Sequence, residues 1–474
     1  MRGPSAYLKG IICACGLAVA GIGHADPVRI SVDAAPAAIS LLLQSKQPAA
    51  AREIARAALQ ARPNDPVILL LLAKANVDLR RPDRAIDLVK TVQGLGTNDA
   101  NLFHAARIRA EAHAQLEQFT RAQFWLRRAS NYTQDRAALG SVTQAHRLVR
   151  QTNPLSTSLR FGATPSNNIN NGSSGDHFAI GQFVADHGID GGLLTIPIDA
   201  VIDIQGTDDA QLSGLALNLG GSVQYRLDRT ETAASFLTAA IDYRSYILSD
   251  EAQQIAPDAS GRDYENGTAM IGFARRQIFD GNDRPMTLQL NVGQTWFAGA
   301  AYSRFIEASF VQSYKINPTD NIWVNGYVKN RTIIDTDAKA RTTGVRLNWA
   351  HKFDNDDSLR LGLHARRSQS DRFDDDFTAY DVDVDYSFGA PVAGMKFAVG
   401  AGWGETFHDR SNYAPGLGSR HGAQYELRGS VQFTQIDYFG FQPVVRLERS
   451  VTHSTVDLFD RNNISLGLSF QSSF

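Results

Sequence analysis

The 474-residue chain has only two cysteines, Cys13 and Cys15, and both lie within its first 25 residues. Beyond them no disulfide framework and no cysteine-held metal site is possible. The histidines never cluster at metal-ligand spacing: His408 with Asp409 and His421 flank one stretch, while His351, His364 and His453 stand singly. The acidic group Asp371, Asp374, Asp375 and Asp376 offers the oxygen chemistry of a calcium site, yet a solvated loop is the simpler reading. Neither a glycine-rich phosphate loop after a strand nor a serine nucleophile elbow occurs. These absences predict a protein that is not an enzyme, with no catalytic residues, no cofactor, no metal and no nucleic-acid partner.

Long apolar runs are scarce too. The uncharged stretch from Gly10 to Gly23 falls short of the roughly 20 residues that a membrane helix needs. Preceded by Arg2 and Lys9 and followed by Gly23-His24-Ala25, it reads as a secretory signal over residues 1–25, with cleavage after Ala25. Lipid attachment at Cys15 is the poorer reading, because Ile12-Cys13-Ala14 is a weak approach sequence and the apolar region would be very short.

What is present divides by charge. Residues 26–150 hold 18 Lys and Arg against 11 Asp and Glu, whereas residues 151–474 hold 27 against 38. Opposite signs imply two environments, and the length calls for at least two domains.

Residues 34–150 are rich in Ala, Leu and Arg at helical spacing. Ile54, Ala57, Ala58 and Ala61 make one stripe, and Ile86, Val89 and Val92 another. The segment starting Gln47-Pro48-Ala49 returns as Arg81-Pro82-Asp83 after 34 residues, and more loosely as Phe119-Thr120-Arg121. A 34-residue period of helix pairs is the tetratricopeptide signature, with proline tolerated in the first turn because its amide has no intrahelical partner there. Two or three pairs stacked in an arc offer a groove for a peptide or protein, or else brace the next domain. The excess of cations favours an acidic partner.

From residue 153 to 474 the period changes to two. Val382, Val384, Tyr386 and Phe388 alternate with Asp381, Asp383, Asp385 and Ser387. Leu215, Leu217, Leu219, Val223, Tyr225 and Leu227 face the opposite way from Asn218, Ser222, Gln224 and Arg226. Fourteen such segments are expected, near 155–165, 211–228, 231–247, 264–279, 284–297, 302–315, 319–330, 341–353, 358–369, 377–389, 393–405, 421–434, 439–452 and 460–474. Their even number, their length, and the long-short alternation of their connections fit an antiparallel outer-membrane β-barrel. Trp296, Trp323, Trp349, Trp403 and Tyr438 are expected in its interfacial girdles. Phe470 and Phe474 on the last strand form a barrel-assembly signal, interrupted by Ser472. The apolar segment 190–206, with Pro197, is expected to fold inward as a plug or to extend the second strand as a hairpin.

The run Leu159-Arg160-Phe161-Gly162-Ala163-Thr164-Pro165-Ser166-Asn167-Asn168-Ile169-Asn170-Asn171 resembles the barrel opening of surface lipoprotein assembly modifiers. Ser213-Gly214-Leu215-Ala216-Leu217-Asn218-Leu219-Gly220-Gly221 and Gly261-Arg262-Asp263-Tyr264 extend the resemblance over residues 153–474. It implies a barrel in the cell outer membrane with tetratricopeptide-like helices in the periplasm. It also implies surface lipoproteins or secreted proteins as clients, the barrel assembly machinery and outer-membrane lipid as partners, and a role in translocation. A porin-like or exopolysaccharide-export channel with a helical-repeat adaptor is the alternative.

Inward-facing charge supplies the candidate site. Arg226, Arg346, Arg360, Arg366, Arg428 and Arg446 stand with Asp381, Asp383, Asp385, Glu426 and Glu448 on the faces expected to line the lumen. Such rings guide a polar client or filter ions, and any water-filled barrel also carries polar residues there.

Overall fold

The computed structural model describes residues 30–474 except 176, 181–182, 187–192, 197–199, 204–208, 280–283, 414–417, 437–440 and 473–474, with the strands inside 177–203 described by backbone alone. Ala25, Tyr438 and Phe474 lie outside the described residues. The chain divides into two compact units after Val142.

The first unit is built from helix pairs: α1 (Ala35–Gln44) with α2 (Pro48–Ala61), α3 (Pro66–Asp78) with α4 (Pro82–Gly94), and α5 (Asp99–Gln115) with α6 (Phe119–Ser130). Helix α7 (Arg136–Thr152) follows. Each pair turns by the same device. Lys46, Arg80 and Glu117 adopt φ of 58°, 57° and 58°, and the next amide bonds back into the helix: Gln47 to Leu42 O, Arg81 to Asn76 O, Gln118 to His113 O. This is the left-handed helix stop that satisfies orphan carbonyls. Its recurrence counts three repeats, although the third is too altered in sequence to align well with the first two.

Ile86, Val89 and Val92 are buried against Leu69, Ala73, Val77 and Ala105, as their spacing requires. The stripe on α2 differs from the expected one: Ala51, Ala55 and Ala58 are buried, whereas Ala57 and Ala61 are exposed. Alanine is small enough for either role, so its helical phase is set by the two helices packed against it, α1 with Ile39 and Leu42 and α3 with Ile68 and Leu72.

The second unit contains a closed antiparallel barrel of fourteen strands. They are β1 (Leu155–Ser166), β6 (Gly214–Arg229), β7 (Ala233–Leu248), β8 (Asn266–Ile278), β9 (Pro285–Phe297), β10 (Ala300–Lys315), β11 (Asp320–Ile333), β12 (Lys339–Lys352), β13 (Ser358–Ser370), β14 (Phe377–Ser387), β15 (Met395–His408), β16 (Arg420–Phe433), β17 (Phe441–Ser454) and β18 (Arg461–Ser472). Four short strands fall in the first long connection, β2 (His177–Ile180), β3 (Phe183–Asp186), β4 (Leu193–Ile196) and β5 (Ala200–Asp203). β2 pairs with β5 and β3 with β4, so the described strands within 190–206 pair inside this connection rather than extending the second barrel strand.

Apolar side chains point outward. Leu159 is 66% exposed, Leu427 63% and Ile271 63%; a continuous apolar exterior of this kind is stable only against lipid. Register places Trp296, Trp349 and Trp403 outward. Trp323 is the exception: it pairs with Ser313 and Asn348 on the inward face. Ile322 and Val324 are the outward residues of that strand, so its alternation turns Trp323 inward.

β1 closes the barrel against β18 through few residue pairs, at Gly162, Ala163 and Ser166. Pro165 has no amide to contribute. Asn167 makes up the deficit: its amide bonds to Ile464 O at 3.2 Å, its side chain donates to Asn462 O at 2.8 Å and accepts from Ile464 N at 2.7 Å. Asn168 and Asn170 bind Gly172, Ala210 and Leu212 in turn. The asparagine-rich run thus has a structural reason. It fixes the exit of the first strand beside a small apolar cluster of Ile169, Leu212, Leu248 and Ala252.

Candidate functional site

The inward face of β14 is a ladder of three acids, Asp381, Asp383 and Asp385, because aspartate occupies every second position. The matching positions on β15 are Gly404, Gly402 and Gly400, and those on β16 are Gln424, Glu426 and Arg428. With no side chain on the middle strand, charges two strands apart meet. Arg428 donates to Asp385 at 3.1 Å and to Glu426 at 2.7 Å, and lies 3.5 Å from Asp383. A Cβ on Gly404 would stand 2.7 Å from Asp381 Oδ1, and one on Gly402 would stand 3.3 Å from Asp383 Oδ1. Arg360 on β13 holds the second oxygen of Asp385 at 2.8 Å.

The network continues through His364. Its Nδ1 lies 3.1 Å from Asp381 and 3.5 Å from the Arg346 guanidinium, and its Nε2 lies 3.4 Å from the Tyr327 hydroxyl. Arg366 approaches Asp381 at 3.9 Å. Arg346, Arg360, Arg428, Asp381, Asp383, Asp385 and Glu426 are therefore one assembly on β12 to β16. Arg346, Arg360, Arg428 and Arg446 line a cavity of about 410 Å³ with Asp383 and Asp385.

Arg446 and Glu448 on β17 also face a larger cavity of about 720 Å³, shared with Arg160, Asp242 and Arg244. There Arg160 pairs with Asp242 at 2.9 Å, and Arg244 donates to Asn218 at 2.6 Å. Sequence reading missed Arg160, Asp242, Arg244, Tyr327 and His364. The signal was available, since Asp242 and Arg244 alternate with the exposed Ile241 and Tyr243.

Arg226 stands apart from both groups. It donates to Gln151 O at 3.0 Å and Thr152 O at 2.7 Å, filling the carbonyls that the end of helix α7 leaves open. Phe470 faces outward and packs on Phe161 with ring centroids 5.1 Å apart.

The acidic loop does not converge. Asp371 accepts from the Lys339 amide, Asp374 from Ser411, Asp375 pairs with Arg331, and Asp376 with Arg367. Among the described residues no group of three metal-ligating side chains could hold an ion.

In the helical unit, α5 and α6 carry an aromatic-cation cluster. Arg109 stacks on Trp125 at 3.9 Å, Arg128 donates to the Tyr132 hydroxyl at 3.0 Å, and Phe124 is half exposed. Burial pushes the His113 imidazole below its ordinary pKa, against the opposing hydrogen bond to Gln118. Burial also opposes the charge on Lys74, but hydrogen bonds to Asp78 and Glu111 outweigh it and raise the pKa of that ammonium. In the turn before β13, the Tyr386 hydroxyl and the Gly389 amide hold the Asp357 carboxyl below its ordinary range.

The tetratricopeptide repeat family profile matches residues 42–107. No curated protein matches the chain. Among solved structures, the first tetratricopeptide domain of human RPAP3 is similar over 25% of this chain and 90% of its own, at 16% identity and a TM-score of 0.23. OprB of Pseudomonas putida is similar over 70% of this chain and 97% of its own, at 11% identity and a TM-score of 0.38. A bacterial polysaccharide outer membrane secretin is similar over 66% and 98%, at 7% identity and a TM-score of 0.31. The chain thus joins tetratricopeptide helices to a closed fourteen-strand barrel, with the barrel established by its own ladder and its apolar exterior.

Proposed function

We propose that the chain is an outer-membrane translocator that displays surface lipoproteins or secreted proteins, with its helical repeats in the periplasm holding the client and the barrel giving passage. One observation carries the reading: a protein-binding repeat module and a membrane-spanning barrel with a charged lumen are parts of the same chain. The repeats have no need to be fused to a pore that passes only small solutes.

The lumen fits an elongated polar client. Its acids and arginines neutralise one another in pairs, so a passing chain meets dipoles of both signs rather than one deep charge trap. Client folding outside supplies the driving force, and no catalytic group, cofactor or nucleic acid takes part. Insertion would require the barrel assembly machinery and outer-membrane lipid.

Deleting the gene and comparing surface proteins of protease-shaved cells tests this. One or two proteins should vanish from the surface with whole-cell amounts unchanged. Unaltered surface proteins would sink it.

A channel for saccharides or solutes is the second reading, favoured by Trp323 and Tyr327 on the inward face of β11. It predicts changed sugar export or uptake in the deletion strain, with surface proteins intact.

A further inference from the structure

On the outward face of the barrel, three cations gather at the end of the strands that carries the long loops. Arg304 of β10 pairs in register with Thr332 of β11, which pairs with Lys339 of β12; one row nearer the middle, Ile306 pairs with Asn330 and Asn330 with Arg341. Strands lie about 4.8 Å apart and residues i and i+2 about 7 Å apart, so the three charges surround the Asn330 and Thr332 side chains within roughly 10 Å. All three are exposed. Among the described residues none of the three forms an ion pair, in contrast to Arg367 one strand further on, which is bonded to Asp376 and Asp409.

Their height is set by the apolar band. Nine residues of β12 lie between Arg341 and His351, and a tilted strand needs about 9–11 residues to cross a bilayer. At the lower boundary the same face carries Trp349 and His351, both bonded to Asp320. Between lie Val328, Val345 and Leu347 with Phe310 and Ile306. The cations therefore stand at headgroup level, directly above a surface for acyl chains. Asp371 takes the Lys339 backbone amide, and Asp335 and Asp337 belong to the turn beyond the strand ends. The corresponding outward rim of β15 and β16 carries Glu405 with His421 at 3.9 Å and so, among the described residues, lacks an unpaired group of cations.

We infer that Arg304, Lys339 and Arg341 bind the phosphate groups of a phosphorylated glycolipid, the lipopolysaccharide type, in the leaflet at the loop end of the barrel. Arginine supplies the fork that matches phosphate oxygens, and lysine a compact charge. Asn330 and Thr332 add neutral donors for sugar hydroxyls. The choice of leaflet rests on the outer-membrane reading above; the binding itself does not.

The test uses the purified full-length chain in neutral detergent and native mass spectrometry with bisphosphorylated lipid A, its dephosphorylated form and phosphatidylglycerol. Lipid A should be retained, with apparent affinity at least about tenfold above both other lipids, since one charge-assisted phosphate contact is worth that much. The triple variant Arg304→Gln, Lys339→Gln, Arg341→Gln should lose the preference. Equal binding of dephosphorylated lipid A, or of phosphatidylglycerol, by the unaltered chain overturns the inference whether or not the variant folds. A folded variant that keeps the preference also overturns it. A client-export defect leaves these readouts unchanged, so failure here is distinguishable from failure of the translocation reading.

Discussion

Arg428 and Asp385 belong to strands that are not neighbours, yet they bond at 3.1 Å because the strand between them presents Gly400 in the same row. The contact depends on what is missing from β15. Gly400→Val should part the two side chains, and Arg428→Gln should leave Asp383, Asp385 and Glu426 with one cation fewer. Losing hydrogen bonds to charged groups costs on the order of 1.5–3 kcal/mol. Urea unfolding in liposomes should show both variants weakened, and planar-bilayer recordings should show Arg428→Gln shifted toward cation selectivity. An unchanged reversal potential would mean that these acids do not face the conducting path.

Asn167 is predicted to matter more than its place at a loop exit implies. Asn167→Ala removes two side-chain hydrogen bonds from the junction of β1 and β18, a loss of about 1–3 kcal/mol. Hydrogen exchange should rise in residues 462–468 of β18 while the β10–β12 ladder stays protected.

Arg449 sits on the outward face between Leu427 and Ile464. An arginine there costs between about 1 and 3 kcal/mol depending on its depth. Arg449→Leu should stabilise the refolded barrel by that amount in lipid vesicles, measured from the urea midpoint.

The helical unit should loosen on acidification. Burial holds the His113 pKa below the ordinary 6.5, so the unfolded chain takes up the proton more readily than the folded one. The stabilisation is complete above about pH 6.5 and declines as pH falls through that value, levelling off below the folded pKa. His113→Gln should flatten the dependence, read by exchange in peptides spanning residues 105–122.

Arg80 adopts a left-handed conformation that costs a side chain about 1 kcal/mol. Arg80→Gly relieves it at some gain in unfolded-state entropy. A net stabilisation of roughly 0.5 kcal/mol is expected in denaturant melts followed by far-ultraviolet dichroism.

Much of this was legible along the chain. The 34-residue return of proline announced the repeats, and alternation announced the strands, because both periods are local properties of backbone geometry. Legibility ended where a residue's role depends on a neighbour distant in sequence. Trp323 and Trp349 read alike in sequence, and only register separates the inward ring from the outward one. Arg226 alternates like its lumen companions but is claimed by the end of helix α7.

The sequence by itself determined that this protein is helices followed by a barrel, which faces of the strands are polar, and how many strands there are. Only the tertiary structure decided which charges meet. Pairing Arg428 with Asp385, or gathering Arg304 with Arg341, requires strands to be adjacent and in one particular register. Alternation fixes which face a residue takes and leaves its row open.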